Sequence, residues 1–238
     1  MESKIYNGDC IDVMNGLEEQ SIDCIITDPP YNLGLFMHQR NTNLVKMRSN
    51  SFAYAGWDNM EYEEWAKNMR QFLVLCKKLL KPKGALVIFM SIIKVESIVK
   101  LAQEIGFYYK TTGIWHKTNP MPRNMNLQFV NSTECWIYFI NGGTTGTFNN
   151  NKKVKHDYLE SSVCPASEKK FGKHPTQKPL KIMKELVELL SNPGDVVLDP
   201  FMGTGSTCVA SALTGRKYVG IELCEEYYLI SKKRLENL

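Results

Sequence analysis

The sequence predicts an α/β protein with helices packed on both faces of a sheet. Short apolar runs rich in β-branched residues alternate along the chain with segments of helical periodicity. The clearest helix is 62–80, where Trp65, Met69, Phe72, Leu73, Cys76 and Leu80 recur at spacings of three and four before Pro82 and Gly84 stop it. In chain order the reading is strand 4–6, helix 10–17, strand 23–27 around Ile25-Ile26, helix 62–80, and strand 85–90, an apolar run bounded by Gly84 and Ser91. Helix 94–105 and strands 107–116 and 134–140 follow, then helix 180–190, which Pro179 opens. Strand 196–199, helix 206–213 behind a glycine-rich turn, strand 217–221 and helix 225–235 complete it. Two segments break the rhythm: 32–58 is long, polar and basic, and 141–175 opens with Gly142-Gly143-Thr144-Thr145-Gly146. Stretches of this length without periodicity are usually lids, recognition loops or disordered pieces. With no internal repeat and no separating linker, residues 1–238 read as a single domain.

The 238 residues are 43% hydrophobic and 23% charged, the profile of a soluble globular chain that buries roughly 70% of its unfolded surface. No run approaches the ~20 apolar residues of a membrane span, and Met1-Glu2-Ser3-Lys4 opens no signal peptide. A cytoplasmic protein with no membrane partner is expected. Seven cysteines without a C-x-x-C pair read as buried thiols, and no metal site is expected. The net charge of +4 is uneven: segments 36–56, 107–131 and 152–178 hold thirteen Lys and Arg against three acids, leaving −6 for the rest. Basic loops on an acidic body suit a polyanion, or are simply solvated lysines.

Two motifs carry chemistry. In Val196-Val197-Leu198-Asp199-Pro200-Phe201-Met202-Gly203-Thr204-Gly205-Ser206 a strand ends in an acid and passes through a glycine turn into a helix, where a ligand can lie against bare backbone. Glu222 ends the next strand, and its carboxylate can accept both hydroxyls of a ribose. Cys208 stands where a dinucleotide fingerprint has its third glycine, and Asp199 would repel a pyrophosphate but suit a cationic or amino-bearing cofactor. A purely structural strand-turn-helix corner stays open. The second motif spans 25–32, Ile25-Ile26-Thr27-Asp28-Pro29-Pro30-Tyr31-Asn32. Asp28 and the Pro29 carbonyl can accept from one exocyclic NH₂ group while Tyr31 stacks on the ring bearing it, localising the nitrogen lone pair for attack. A rigid Pro-Pro turn with a surface tyrosine is the alternative.

Together the motifs resemble the amino-methylating DNA methyltransferases of the β class, N6-adenine type, found in restriction-modification systems. Asp28-Pro29-Pro30-Tyr31 is similar to the catalytic tetrapeptide and 196–207 to the S-adenosylmethionine motif, in the permuted order of that class. The resemblance implies a circularly permuted Rossmann-like methyltransferase fold with a mixed sheet. It places His174, Thr176, Gln177 and Lys178 along the cofactor pocket and Asp9-Cys10 at the cofactor adenine, with Phe201, Gly203, Gly205 and Ser206 in the glycine turn. Thr176, Gln177 and Lys178 could hold the cofactor carboxylate; Asp9 could instead cap helix 10–17. Arg40, Lys46, Arg48, Lys117 and Arg123 would face phosphates of double-stranded DNA or be solvated. Loops 32–58, 118–131 and 141–173 are the candidate recognition elements, and a homodimer is compatible with the resemblance.

The expected reaction is transfer of the sulfonium methyl group to N6 of an adenine flipped out of the duplex. Cytosine N4 is the alternative acceptor. An NAD-type oxidoreductase would share the glycine turn but has no use for Asp-Pro-Pro-Tyr, and a non-enzymatic DNA-binding module leaves both strand ends unexplained.

Overall fold

A computed structural model describes residues 1–33, 60–122, 126 and 129–238. The strands are β1 (Lys4–Asn7), β2 (Ile22–Thr27), β3 (Leu80–Met90), β4 (Phe107–Lys117), β5 (Thr133–Asn141), β6 (Tyr158–Ser161), β7 (Val196–Asp199) and β8 (Lys217–Glu222). The helices are α1 (Cys10–Asn15), α2 (Tyr62–Leu79), α3 (Val95–Ile105), α4 (Leu180–Leu190), α5 (Ser206–Leu213) and α6 (Glu225–Glu236). All eight strands form one sheet in the order β1-β8-β7-β2-β3-β5-β4-β6. Its first five members are parallel, β5 runs antiparallel to both β3 and β4, and β6 is parallel to β4, so the sheet is mixed as expected.

Period-two alternation explains the two-faced core. On one face Ile25, Leu86, Ile88, Ile137 and Phe139 pack against α1, α2 and α3; on the other Ile26, Val87, Phe89, Trp136 and Tyr138 meet α4. With helices on both sides the central strands carry near-continuous apolar sequence, which is why they were legible. In α2 the buried residues Trp65, Met69, Phe72, Leu73 and Cys76 belong to the stripe predicted from spacing; Leu75 and Leu79 join them, and Leu80 falls in β3.

Two expectations need correction. The helix ends at Leu79, and the segment through Pro82 and Gly84 belongs to β3, whose pairing with β2 jumps from Ile22↔Leu80 to Cys24↔Ala85. A bulge tolerates the proline that a regular inner strand would not. Segment 141–173 is not a plain loop: β6 pairs with β4 from Ile114↔Tyr158 to Lys117↔Ser161, and a 3₁₀ turn covers Ala166–Lys169. Only Leu159 of β6 supplies a buried apolar side chain, too little for a sequence signal.

The chain steps outward from β2 to β3 on one side and from β7 to β8 on the other. β2 and β7 are neighbours, paired at Cys24↔Val197 and Ile25↔Leu198, so the two motifs leave adjacent strands at the same sheet edge. Such a switch point opens a crevice beyond the carboxyl ends of the strands. A hydrogen bond of 2.8 Å from Thr27 Oγ1 to Asp199 Oδ1 ties the edge together there. Asn32, in the left-handed region at φ 51°, bonds both ways with the Met60 backbone at 2.9 Å and draws the ends of the intervening segment together. All seven cysteines are free, six of them buried. No helix among the described residues is long and apolar enough to cross a membrane.

Candidate active site

A cavity of about 1010 Å³ occupies the crevice, and both motifs line it. On the β7 side, Gly203 (φ 53°) and Gly205 (φ 78°) take left-handed conformations in the turn before α5. A Cβ at Gly205 would also stand 2.9 Å from Ser231 Cβ of α6, so the turn is both strained for other residues and closely packed. Arg234 of α6 donates to the Thr204 carbonyl oxygen at 2.5 Å and holds the turn from behind.

Asp199 faces inward. Its carboxylate accepts from Thr27 Oγ1, the Phe201 amide at 3.1 Å and Thr207 Oγ1 at 2.6 Å, and burial pushes its pKa up to about 6. Its observed contacts brace the turn, and it also lines the cavity in which the sequence reading expects an amino-bearing ligand. Glu222 lines the same cavity, with Oε2 accepting from the Gly203 amide at 2.9 Å and Oε1 from the Cys224 amide at 2.7 Å. Each oxygen keeps acceptor capacity for another donor, and burial raises the carboxyl pKa.

Asp9 lines the same space while capping α1, accepting from the Ile11 and Asp12 amides at 2.8 and 3.3 Å; the capping alternative is therefore realised. Cys10, Phe201 and Ser206 are also in the wall, as are His174, Thr176 and Gln177 from the segment before α4. Phe201 is fixed edge-on against Phe72 at 5.4 Å between centroids.

The β2 side differs more from expectation. Tyr31 is only partly exposed, and its hydroxyl donates to Asp28 Oδ1 at 2.6 Å. Asp28 Oδ2 accepts from the Lys178 ammonium. Lys178, expected on a cofactor carboxylate, is thus committed to Asp28 and Glu134, with its side chain 6% exposed. Lys117, expected on phosphate, is likewise turned into the wall, where it pairs with Glu134 Oε1 at 2.6 Å.

Glu134 was missed by the sequence reading. It lies at the start of β5, which runs antiparallel and so brings its first residues beside Met90 at the carboxyl end of β3. Glu134 Oε2 stands 3.1 Å from Lys178 Nζ, an ion pair outside hydrogen-bonding alignment. Burial opposes its ionisation, but Lys178 and Lys117 outweigh burial and hold its carboxyl below the usual range. For Asp28 burial dominates and raises the pKa despite Lys178, with Glu134 adding to the rise. Lys178 is held charged by the two carboxylates against the pull of burial.

Arg40, Lys46, Arg48 and Arg123 lie outside the described residues, as does most of loop 32–58. Of the basic segment 152–178, Lys152, Lys153, Lys155, Lys170 and Lys173 are exposed.

The geometry thus joins the cleft beside the glycine turn and Glu222 to an acid held at a Pro-Pro turn. The sequence matches the family described as DNA methylase (N6_N4_Mtase) over residues 22–233. The chain belongs to this DNA methylase family. It is 31% identical to the type II methyltransferase M.HinfI of Haemophilus influenzae across 98% of this chain and 68% of that protein. With the type II methyltransferase M2.DpnII of Streptococcus pneumoniae it shares 30% identity, covering 98% of this chain and 89% of the relative. Among solved structures, the M1.HpyAVI–SAM complex superposes with a TM-score of 0.71 at 29% identity, covering 98% of each chain. The cytosine-N4-specific PvuII DNA methyltransferase shares the fold, with a TM-score of 0.78 at 20% identity over 98% of this chain and 86% of that one.

The methylase is therefore a DNA amino-methyltransferase that uses S-adenosylmethionine, and the cavity fits that cofactor. Glu222 offers acceptors at the sheet edge, the glycine turn leaves its backbone bare, and Gln177 Oε1 is buried without a hydrogen-bond partner. Gln177 Nε2 donates to the Glu168 carbonyl at 3.1 Å, which fixes the amide so that Oε1 is left as the acceptor.

His174 packs edge-on against Tyr227 at 4.3 Å beside Gly203, and burial, helped by Lys178 and Lys169, lowers its pKa to about 4. Above pH 6.5 the imidazole is neutral in both folded and unfolded chains, and its contribution to stability is complete. As pH falls from there towards 4, the unfolded chain takes up a proton the folded one refuses, so up to about 3 kcal/mol is lost. Urea unfolding of the wild type and His174→Gln between pH 7 and 4 should show a smaller acid-induced loss in the variant; parallel curves would exclude this origin.

Proposed function

We propose that this methylase modifies N6 of an adenine turned out of double-stranded DNA. The observation that carries the reading is Asp28, which opens into the same cavity as Glu222 and the glycine turn, from a strand adjacent to theirs. When bound, S-adenosylmethionine supplies an electrophilic methyl group. Asp28 and the Pro29 carbonyl accept the two amine hydrogens, drawing the nitrogen towards the pyramidal geometry of attack and stabilising its developing positive charge. Pro29 and Pro30 fix the backbone that presents these acceptors. Tyr31 orients Asp28 through its hydroxyl and offers a ring edge to the base. Extrusion costs a few kcal/mol, which these contacts recover.

Glu222 takes the ribose hydroxyls, Asp9 and Cys10 lie against the cofactor adenine, and His174, Thr176 and Gln177 face its amino-acid end. Phe201, Gly203, Gly205 and Ser206 form the floor. The exposed lysines of 152–173, together with Arg40, Lys46, Arg48 and Arg123, supply the phosphate contacts. Lys117 is reassigned from phosphate to the cavity wall.

Adenine is preferred because an Asp-Pro-Pro-Tyr motif resembles mainly the adenine enzymes. Modification mapping on genomic DNA from cells expressing the chain tests this. N6-methyladenine in one recurring sequence context is expected; N4-methylcytosine would overturn the choice of base.

A further inference from the structure

Asp28 cannot serve an incoming amine fully while Lys178 neutralises it. Every charged or titratable neighbour of this carboxylate among the described residues can be named. Tyr31 donates to Oδ1, Lys178 to Oδ2, Glu134 of β5 shares Lys178, Lys117 of β4 holds the far oxygen of Glu134, and Asp199 of β7 lies behind. Two lysines and two carboxylates alternate, Lys117–Glu134–Lys178–Asp28, a chain with no net charge in the wall of the cavity. The Lys178 ammonium lies over Phe89, 5.1 Å from the ring centroid, while it pairs with the two acids.

We propose that Glu134 is a positioning residue for methyl transfer: it receives the Lys178 ammonium when the target amine engages Asp28, freeing the carboxylate without stranding a buried cation. The inference rests on the reading of Asp28 as the acceptor of that amine. The ammonium starts 3.1 Å from Glu134 Oε2, so a small torsional shift completes the exchange. A lone buried ammonium would be costly, and a second acid within reach removes that cost. Lys117 in turn keeps Glu134 ionised and oriented, so the acid is ready before the base arrives.

Glu134→Gln should lock Lys178 on Asp28. The expected result is an S-adenosylmethionine dissociation constant, measured calorimetrically without DNA, within twofold of wild type, and a kcat on unmodified genomic DNA reduced tenfold or more. Removing the negative charge beside Asp28 should also move the acid limb of the kcat profile to lower pH, which a merely structural role would not do. Glu134→Asp should restore much of the rate. Should Glu134→Gln fail to fold, Lys178→Met serves, because the unpaired Asp28 then titrates higher and the acid limb moves to higher pH. Asp28→Ala is the control. If Asp28→Ala is inactive while Glu134→Gln turns over within twofold of wild type with an unmoved limb, the role of Glu134 is overturned alone. Wild-type turnover by Asp28→Ala would overturn the reading of Asp28 and this proposal with it. Parallel loss of cofactor affinity and rate in Glu134→Gln would also overturn it, and an unmoved limb in Lys178→Met does the same.

Discussion

Asp28→Ala is expected to bind S-adenosylmethionine with near-wild-type affinity and to lose methyl transfer by about 10³-fold, the scale seen when one preorganised electrostatic contact at a reacting centre is removed. The separation follows from position. Asp28 follows β2, on the side of the cavity proposed for the target base, whereas the contacts expected for the cofactor come from β7, β8, the turn before α1 and the segment before α4. Lys178 loses one partner in the variant, but Glu134 remains 3.1 Å away to compensate it, so the fold survives the change. Asp28→Asn, which keeps the shape and removes the charge, should be nearly as defective. Because burial raises the Asp28 pKa and the carboxylate is the working form, wild-type kcat should climb with pH along a limb above the usual carboxylate range. Calorimetry for binding and tritiated methyl transfer for rate separate the two effects. Transfer by Asp28→Ala near the wild-type rate would refute the assignment.

Glu222→Ala should give the second large effect, on binding. On the proposed reading the side chain offers its oxygens to a ribose while it accepts from the Gly203 and Cys224 amides, so its removal should take away the ligand contacts and loosen the glycine turn. Hydrogen bonds to a charged group contribute about 1.5–3 kcal/mol each, so losing two raises the cofactor dissociation constant by roughly 10²-fold or more. DNA affinity measured without cofactor should change little. An unchanged cofactor dissociation constant would exclude Glu222 as the ribose acceptor.

The sheet was legible because burial on both faces writes long apolar runs: Ile25-Ile26, Leu86 to Phe89 and Val196 to Leu198 each fell in a strand. The motifs were legible because each joins a strand end to a turn within a few residues. β6 was not, since Tyr158-Leu159-Glu160-Ser161 buries a single apolar side chain and depends on its pairing with β4. Glu134 was hidden for a related reason. An acid at a strand start reads as an ordinary edge residue, and only the antiparallel placement of β5 beside β3 carries it to Lys178 and towards Asp28, 106 positions away in sequence. Lys178 and Lys117 show the same limit: Lys178 was expected at the cavity and Lys117 on DNA phosphate, but side-chain direction, set by Asp28 and Glu134 far away in sequence, gives both of them acidic partners in the cavity wall.

The most direct test is to incubate the purified protein and unmodified double-stranded DNA with methyl-labelled S-adenosylmethionine, digest the DNA to nucleosides and identify the labelled one. Label in N6-methyladenine, absent with Asp28→Ala, is the predicted result; label in N4-methylcytosine, or in N6-methyladenine undiminished by Asp28→Ala, would contradict it.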